Sequence, residues 1–174
     1  MEEENLKMEN EHAPIVVRQA RAEDAAQLRE HCFSANTLAE VQARIAEALQ
    51  AAQEGQQELL VAEVKGTVVG TGTLIRYTHP LYTHRGQVVS LVVHPAYQRQ
   101  GIARRIVEAL SDRARSAGLE ILETSCRGGT PAEQVYARLG FVEYGRLPRG
   151  IKETWDTYRV YDEVFFYMPL KDDR

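Results

Sequence analysis

One stretch, residues 88–107, limits the fold of this chain more than any other, because it places a buried strand directly before a polar loop and a helix. The strand is the apolar run that ends at Val93, and His94-Pro95 closes it. Apolar residues at helical spacing follow from Ile102 to Ala114, and Gly118 ends the helix. A strand and a helix joined this closely predict an α/β chain in which helices cover a sheet.

The loop between this strand and helix, residues 98–103, predicts an anionic ligand. The first turn of a helix has backbone N–H groups without an intrahelical partner and carries partial positive charge, so it binds phosphate readily. Gly101 allows a ligand to approach the backbone closely, and Arg99, Arg104 and Arg105 add positive charge. We therefore expect a phosphate-bearing ligand here; the alternative is an ordinary turn between strand and helix.

Hydrophobic periodicity and turn residues predict the remaining elements. The predicted strands cover residues 15–18, 59–64, 68–77, 86–93, 119–124, 141–144 and 163–170, and the predicted helices cover 22–33, 38–53, 102–118 and 131–139. This order predicts one α/β (α+β) domain over residues 14–171, with a mixed central β-sheet flanked by helices and an antiparallel closing pair. Residues 1–13 are expected to form a disordered acidic tail.

Composition excludes several classes of protein. The 174 residues include 44% hydrophobic and 26% charged residues, which is typical of a soluble globular domain. The net charge is −4, so no overall positive charge favours binding to nucleic acid or membranes. No apolar run approaches the roughly 20 residues of a membrane span, and the acidic N-terminus lacks the apolar core of a secretory signal. Cys32 and Cys126 have no metal-ligand spacing, so we expect no metal and reduced thiols in a cytoplasmic protein; the less favoured alternative is a disulfide.

The loop and a second motif resemble those of the GNAT N-acetyltransferase family. Residues 98–103, Q-R-Q-G-I-A, are similar to the family's acetyl-CoA signature Q/R-x-x-G-x-G/A, and V-V-H-P-A-Y precedes them as in the family. Residues 129–141, G-T-P-A-E-Q-V-Y-A-R-L-G-F, resemble its A-x-x-x-Y-x-x-L-G-F element. The order of elements over roughly residues 14–170 also resembles the GNAT fold.

The resemblance implies that acetyl-CoA (coenzyme A) is the cofactor. The loop amides would hold its pyrophosphate, and the backbone of the preceding strand would pair with the pantetheine arm. Such pairing requires a strand splayed from its neighbour, often by a bulge, so that its hydrogen-bonding groups are free. The residues assigned to the cofactor on this basis are Leu91, Val92, Val93, Gln98, Arg99, Gln100, Gly101, Ile102, Ala103 and Arg104.

Two residues are candidates for the proton transfers of acetyl transfer to an amine. The resemblance places Tyr136 beside the coenzyme A sulfur, where its O–H suits a general acid for the departing thiolate; the alternative is a half-buried tyrosine that fills space. Glu123, on the strand after the coenzyme helix, is the candidate general base, and its alternative is a surface carboxylate.

Other groups are alternative candidates for the general base. His79 and His84 lie on the loop before the central strand, and many family members use a water chain instead of one essential residue. Glu133 is the other carboxylate nearby, but a glutamate that complements the dipole at a helix N-terminus explains it without catalysis.

The acceptor site is expected where residues 32–40, 77–86 and 144–162 come together. The last segment interleaves basic and aromatic residues, including Trp155 and Tyr158. That pattern also occurs in nucleic-acid surfaces and in dimer contacts, but the acidic balance elsewhere argues against nucleic acid. A homodimer stays open.

We therefore predict an acetyl-CoA-dependent N-acetyltransferase that acts on a primary amine of a small molecule by direct attack on the thioester. Residues 129–136 followed by 145–148 resemble a branch that includes tabtoxin-resistance-type acetyltransferases, which acetylate small amines. The alternatives are a protein or peptide N-acetyltransferase and a coenzyme A-binding regulatory module without turnover. A Rossmann dinucleotide binder is disfavoured, because no G-x-G-x-x-G follows the first strand.

Overall fold

Within residues 13–154 and 158–171, which the computed structural model of the chain describes, seven strands form one mixed sheet and four α-helices cover its faces. The strand order is β1-β2-β3-β4-β5-β7-β6. The strands are β1 (Ile15–Gln19), β2 (Gln57–Val64), β3 (Thr67–Arg76), β4 (Arg85–Val93), β5 (Ile121–Arg127), β6 (Val142–Lys152) and β7 (Val160–Pro169). The helices are α1 (Ala25–His31), α2 (Leu38–Gln53), α3 (Ile102–Ser116) and α4 (Pro131–Arg138). The predicted α/β fold with a mixed central sheet is confirmed.

Each face of the sheet has its own hydrophobic core. On β2, Leu59 and Val61 face α1 and α2, whereas Leu60 and Ala62 face α3 and α4, so both sides of the strand are apolar. We call these sides the α1/α2 face and the α3/α4 face. Because α1 and α2 lie mainly over β2 and β3, side chains of β6 and β7 on the α1/α2 face, such as Tyr167, stay exposed.

The parallel strands β4 and β5 pair briefly and then diverge. Pairing joins Arg85–Gln87 to Ile121–Glu123, and the Thr124 hydroxyl donates to the Val88 carbonyl at 2.9 Å just beyond the last pair. We call this point of divergence, bounded by Val88, Glu123 and Thr124, the fork. The backbone of β4 after the fork is free of β5.

A bulge in β4 accompanies this divergence. The register between β3 and β4 shifts between Thr71 and Thr73, and Ser90, opposite the shift, has a φ of 52°. A bulge bends its strand and increases the local twist. The splayed and bulged strand that the family resemblance predicted is therefore confirmed.

Two elements differ most from the prediction, and β5 also continues to Arg127 instead of ending at residue 124. The expected helix 22–33 is divided into a 3₁₀ turn and α1, because the buried Asp24 carboxylate accepts the Arg21 N–H and bonds to Arg18. β6 continues to Lys152 instead of ending at residue 144, because its ladder with β7 persists through two register shifts. Most side chains of β6 are exposed, so no apolar alternation marks the extension in the sequence.

The acidic segment 1–13, expected to be a disordered tail, lies outside the described residues except for Ala13. None of the helices in the described part of the chain is long and apolar enough to cross a membrane.

Candidate active site

Helix α3 begins with an open turn. Gly101 precedes the helix with a φ of 81°, a left-handed conformation that favours glycine. Among the described residues no side chain caps this end, and the Arg105 N–H donates to the Gly101 carbonyl at 3.0 Å. A Cβ on Gly101 would meet no heavy atom within 4 Å. The space before the first-turn N–H groups is therefore open, and the turn fits a phosphate.

A cleft of about 600 Å³ extends from this turn between β4 and α4. Its walls are formed by Leu91, Val93, Tyr97, Gln98, Arg99, Gly101, Ile102, Ala103, Arg104, Pro131, Ala132, Val135, Tyr136, Arg138 and Leu139. Every residue predicted to bind the cofactor is part of these walls except Val92 and Gln100. Val92 pairs with Thr71 in the sheet, and the Gln100 amide donates to the Ala96 carbonyl at 3.4 Å.

Apart from Tyr136, sequence reasoning missed the wall that α4 contributes. Pro131, Val135 and Leu139 recur every four residues and therefore share one side of the helix. That spacing was visible in the sequence, but nothing local showed which cavity it faces. Arg104 joins the two walls, because its guanidinium donates to the Arg138 carbonyl at 2.9 Å.

Tyr136 lines the same cleft and is buried beside the fork. Its ring packs against Phe141 and Phe166, with centroid distances of 5.6 and 5.7 Å, and its hydroxyl hydrogen-bonds with the Thr124 side chain. Burial raises the pKa of Tyr136, and the bond with Thr124 opposes this rise in part. The phenol is therefore protonated at neutral pH and has a proton to donate at the fork.

Glu123 lies at the fork on the opposite side of the sheet from Thr124, because successive strand residues face opposite sides. It is only 8% exposed. Arg85 donates from Nη2 to Oε1 at 2.8 Å and to Oε2 at 2.7 Å, and from Nε to Oε2 at 3.0 Å. The Tyr144 hydroxyl donates to Oε1 at 3.2 Å. The alternative of a surface carboxylate is therefore wrong.

Three tyrosines surround this ion pair. Burial, followed by the negative charge of Glu123, raises the pKa of Tyr77 and of Tyr144, and Tyr77 also hydrogen-bonds with the carboxylate. The Arg85 guanidinium stacks on Tyr77 and Tyr82, 5.2 and 5.0 Å from the ring centroids. Tyr77 and Tyr144 therefore stay protonated and act as donors to Glu123.

Among the described residues, neither of the two histidines hydrogen-bonds with Glu123. The His84 carbonyl accepts N–H bonds from the residues that begin β5, at the closed end of the β4–β5 pair. His79 is exposed on the loop and stacks on Tyr82 at 5.0 Å. The structure therefore gives neither histidine a contact that favours it as the base.

Glu133 has a structural explanation. It accepts from the Arg146 guanidinium at 2.6 Å and from the Gly129 N–H at 2.5 Å. The Arg146 bond, followed by the Gly129 bond, lowers the pKa of Glu133. The carboxylate thus stabilises the N-terminus of α4, as the sequence analysis expected.

Two of the three expected acceptor segments meet at the fork. Segment 77–86 contributes Tyr77 and Arg85, and segment 144–162 contributes Tyr144. In segment 32–40, Cys32 and Phe33 instead pack against the core of the α1/α2 face. Trp155 lies outside the described residues.

Comparison with known proteins identifies the family. Residues 22–141 match the acetyltransferase (GNAT) family. The chain belongs to this family. It is also similar to the "IAA acetyltransferase" of Azospirillum brasilense, with 38% identity over 88 residues that cover 49% of this chain and 55% of that protein. The chain therefore spans about half the length of this curated relative.

Solved GNAT structures share the fold. The putative acetyltransferase yncA of Salmonella typhimurium, solved with acetyl-CoA, has a TM-score of 0.77 at 20% identity, covering 91% of this chain and 95% of that one. RimL, a ribosomal L7/L12 α-N-protein acetyltransferase solved with coenzyme A, has a TM-score of 0.76 at 14% identity, covering 89% and 93%. Acetyl-CoA is the cofactor of the GNAT family, and the open turn of α3 fits its phosphates.

Proposed function

We propose that this GNAT protein is an acetyl-CoA-dependent N-acetyltransferase that transfers the acetyl group to a primary amine of a small molecule. The observation that carries the proposal is the fork. A protonated phenol, Tyr136, lies on its α3/α4 face, and a buried carboxylate, Glu123, lies on its α1/α2 face. The two proton transfers of the reaction would therefore occur on opposite sides of one gap in the sheet.

The cofactor would be held mainly by backbone. The N–H groups at the start of α3, together with Arg99 and Arg104, would bind the diphosphate. The backbone of β4 at Leu91–Val93, which is not paired with β5, would pair with the pantetheine arm. Acetyl-CoA, when bound, supplies the acetyl group as an activated thioester.

The proton chemistry follows from ordinary pKa values. An amine with a pKa of about 10.4 must lose a proton before it attacks, and a thiol of pKa about 8.5 is a better leaving group when an acid protonates it. Glu123 would receive the first proton and Tyr136 would donate the second. Most of the acceleration would come from holding the amine and the thioester together in the fork.

Glu123 can accept a proton only after one of its present donors moves. Arg85 and Tyr144 together make four hydrogen bonds to the carboxylate, two on each oxygen, and Tyr77 adds a further bond. The Tyr144 bond, at 3.2 Å, is the longest of the four. We propose that the amine, or a water bound to it, displaces the Tyr144 hydroxyl while Arg85 holds the carboxylate in place.

The test is a thiol-release assay with acetyl-CoA and a panel of primary amines, with mass spectrometry of the product. An amine that gains 42 Da, about the mass of an acetyl group replacing hydrogen, at a rate far above that of Tyr136→Phe supports the enzyme. Tight coenzyme A binding without thiol release above the Tyr136→Phe background would instead favour the regulatory module. Acetylation of peptide N-termini in preference to small amines would favour a protein acetyltransferase.

We also propose that the protein works in the cytoplasm. Cys32 and Cys126 are both free thiols, as is usual in reducing compartments. Burial raises the pKa of each thiol to about 11.

A further inference from the structure

Aromatic side chains surround the fork on the α1/α2 face. Tyr77 and Tyr82, from the loop after β3, have ring centroids 6.4 Å apart. Tyr144 of β6 lies 6.1 Å from both Phe165 and Tyr167 of β7. We call these five residues the aromatic mouth.

The rings of the aromatic mouth lie on two sides of Glu123. The side chains of Tyr77 and Tyr144 both hydrogen-bond with its carboxylate. Tyr167 is the direct partner of Glu123 between β5 and β7, so the two side chains share a face. Tyr82, Tyr144 and Tyr167 are 43%, 55% and 36% exposed. The Tyr82 ring already contacts Arg85 and His79, and the exposed parts of the three rings are accessible to a ligand.

The charge of the aromatic mouth disfavours a polyamine. Arg85 already neutralises Glu123, the carboxylate at its centre, at 2.7 Å. A chain of several ammonium groups is best held by a series of unpaired carboxylates, which the described residues at the fork do not provide. Aromatic rings, by contrast, attract other rings through stacking and edge-to-face contacts.

We propose that the acceptor is a primary alkylamine that bears a flat unsaturated ring, with the ring held by the aromatic mouth and the amine directed at Glu123. Tyr82 and Tyr144 would determine this specificity. The inference rests on the proposed N-acetyltransferase function and adds the class of acceptor to it.

The reaction at this site balances without a further reactant. The amine nitrogen forms a bond to the acetyl carbonyl carbon, and the bond between that carbon and sulfur breaks. The ammonium form of the amine first gives one proton to Glu123, which passes it to solvent. After attack the nitrogen gives up a second proton, and the thiolate takes a proton from Tyr136. Return of that second proton to Tyr136 through solvent leaves an N-acetyl amine, free coenzyme A and one released proton.

The experiment compares 2-phenylethylamine with 2-cyclohexylethylamine, which has the same carbon skeleton without the flat ring. Both have one ammonium group, and the saturated ring is at least as hydrophobic, so burial alone gives no preference for the phenyl compound. We expect kcat/KM for 2-phenylethylamine to be about tenfold higher, which corresponds to about 1.4 kcal/mol. Spermidine, which carries several ammonium groups, is expected to react more slowly than either. Equal values for the two ring amines, or the highest value for spermidine, would overturn the proposal.

Matched variants assign the preference to the aromatic mouth. Tyr82 does not hydrogen-bond to Glu123 in the described structure and has no assigned role in proton transfer, so Tyr82→Leu should abolish the phenyl preference while Tyr82→Phe keeps it. If Tyr82→Leu retains the full preference, Tyr82 does not select the acceptor and the proposal is wrong in that part.

Binding measurements separate this proposal from the proposed function. Isothermal titration of both ring amines into the protein, with and without coenzyme A, measures recognition without turnover. Tighter binding of 2-phenylethylamine without acetylation would support the aromatic mouth and refute the acetyltransferase. Acetylation of both amines with equal affinities would support the acetyltransferase and refute the aromatic mouth.

Discussion

Replacing Tyr136 by phenylalanine removes the hydroxyl that we assign to the departing thiolate and keeps the packing. The ring lies 5.6 and 5.7 Å from Phe141 and Phe166, and a phenylalanine ring can make the same contacts. The lost hydrogen bond with Thr124 should lower the free energy of unfolding by about 0.5–1.5 kcal/mol. Loss of a general acid slows a reaction by about 10²–10⁴-fold, or about 2.7–5.5 kcal/mol of barrier. The kinetic effect should therefore exceed the effect on stability.

The assay measures kcat by thiol release, coenzyme A affinity by calorimetry, and stability by urea unfolding. We expect kcat to fall by at least about a hundredfold, with the coenzyme A dissociation constant changed by less than about twofold. Tyr97→Phe is the matched control, because Tyr97 lines the same cleft and has no assigned proton to donate. A Tyr136→Phe enzyme with wild-type kcat would refute the role of the phenol.

Three further predictions test separate properties of the site. Gly101→Glu should abolish coenzyme A binding, because it forces a charged side chain into a left-handed backbone position and repels phosphate. The control Gly101→Ala adds only the conformational cost of about 1–2 kcal/mol. An unchanged calorimetric affinity for coenzyme A in Gly101→Glu would refute phosphate binding at this turn. Glu123→Gln should flatten the part of the pH–rate profile that rises toward alkaline pH, whereas the profile of Tyr144→Phe should keep the wild-type shape. An unaltered rise in Glu123→Gln would assign the role of base to water. Burial raises the pKa of Tyr136 above its unfolded value of about 10, so its contribution to stability is complete below that value and is lost as pH rises through the folded pKa. Tyr136→Phe should therefore lose less stability than wild type over this alkaline range. Equal losses of unfolding free energy in the two proteins, measured by urea unfolding, would contradict the burial effect.

The elements that local signals define were predictable from the sequence. The apolar run ending at Val93, the glycine at position 101 and the helical spacing after it are all contained in one stretch of chain. They predicted the strand, the turn and α3, as well as the cleft wall that they form. The continuous apolar run of β2 was equally legible, because a strand buried on both faces shows no alternation.

The environment of Glu123 was not predictable, because its partners are distant in sequence. Arg85 and Tyr144 lie 38 and 21 residues away from it, and only the order of strands in the sheet brings them together. For the same reason the aromatic mouth has no local signature. The long β6 was missed because its exposed side chains carry no apolar period, and the bulge at Ser90 depends on pairing with β3.

A crystal structure of the protein with coenzyme A bound tests the account most directly. We expect the diphosphate to accept hydrogen bonds from the N–H groups between Gly101 and Arg104, and the sulfur to lie within about 3.5 Å of the Tyr136 hydroxyl. The fork should then open toward Glu123 on the other side of the sheet. A coenzyme bound elsewhere on the surface, or a sulfur directed away from the gap between β4 and β5, would contradict the assignment of this site.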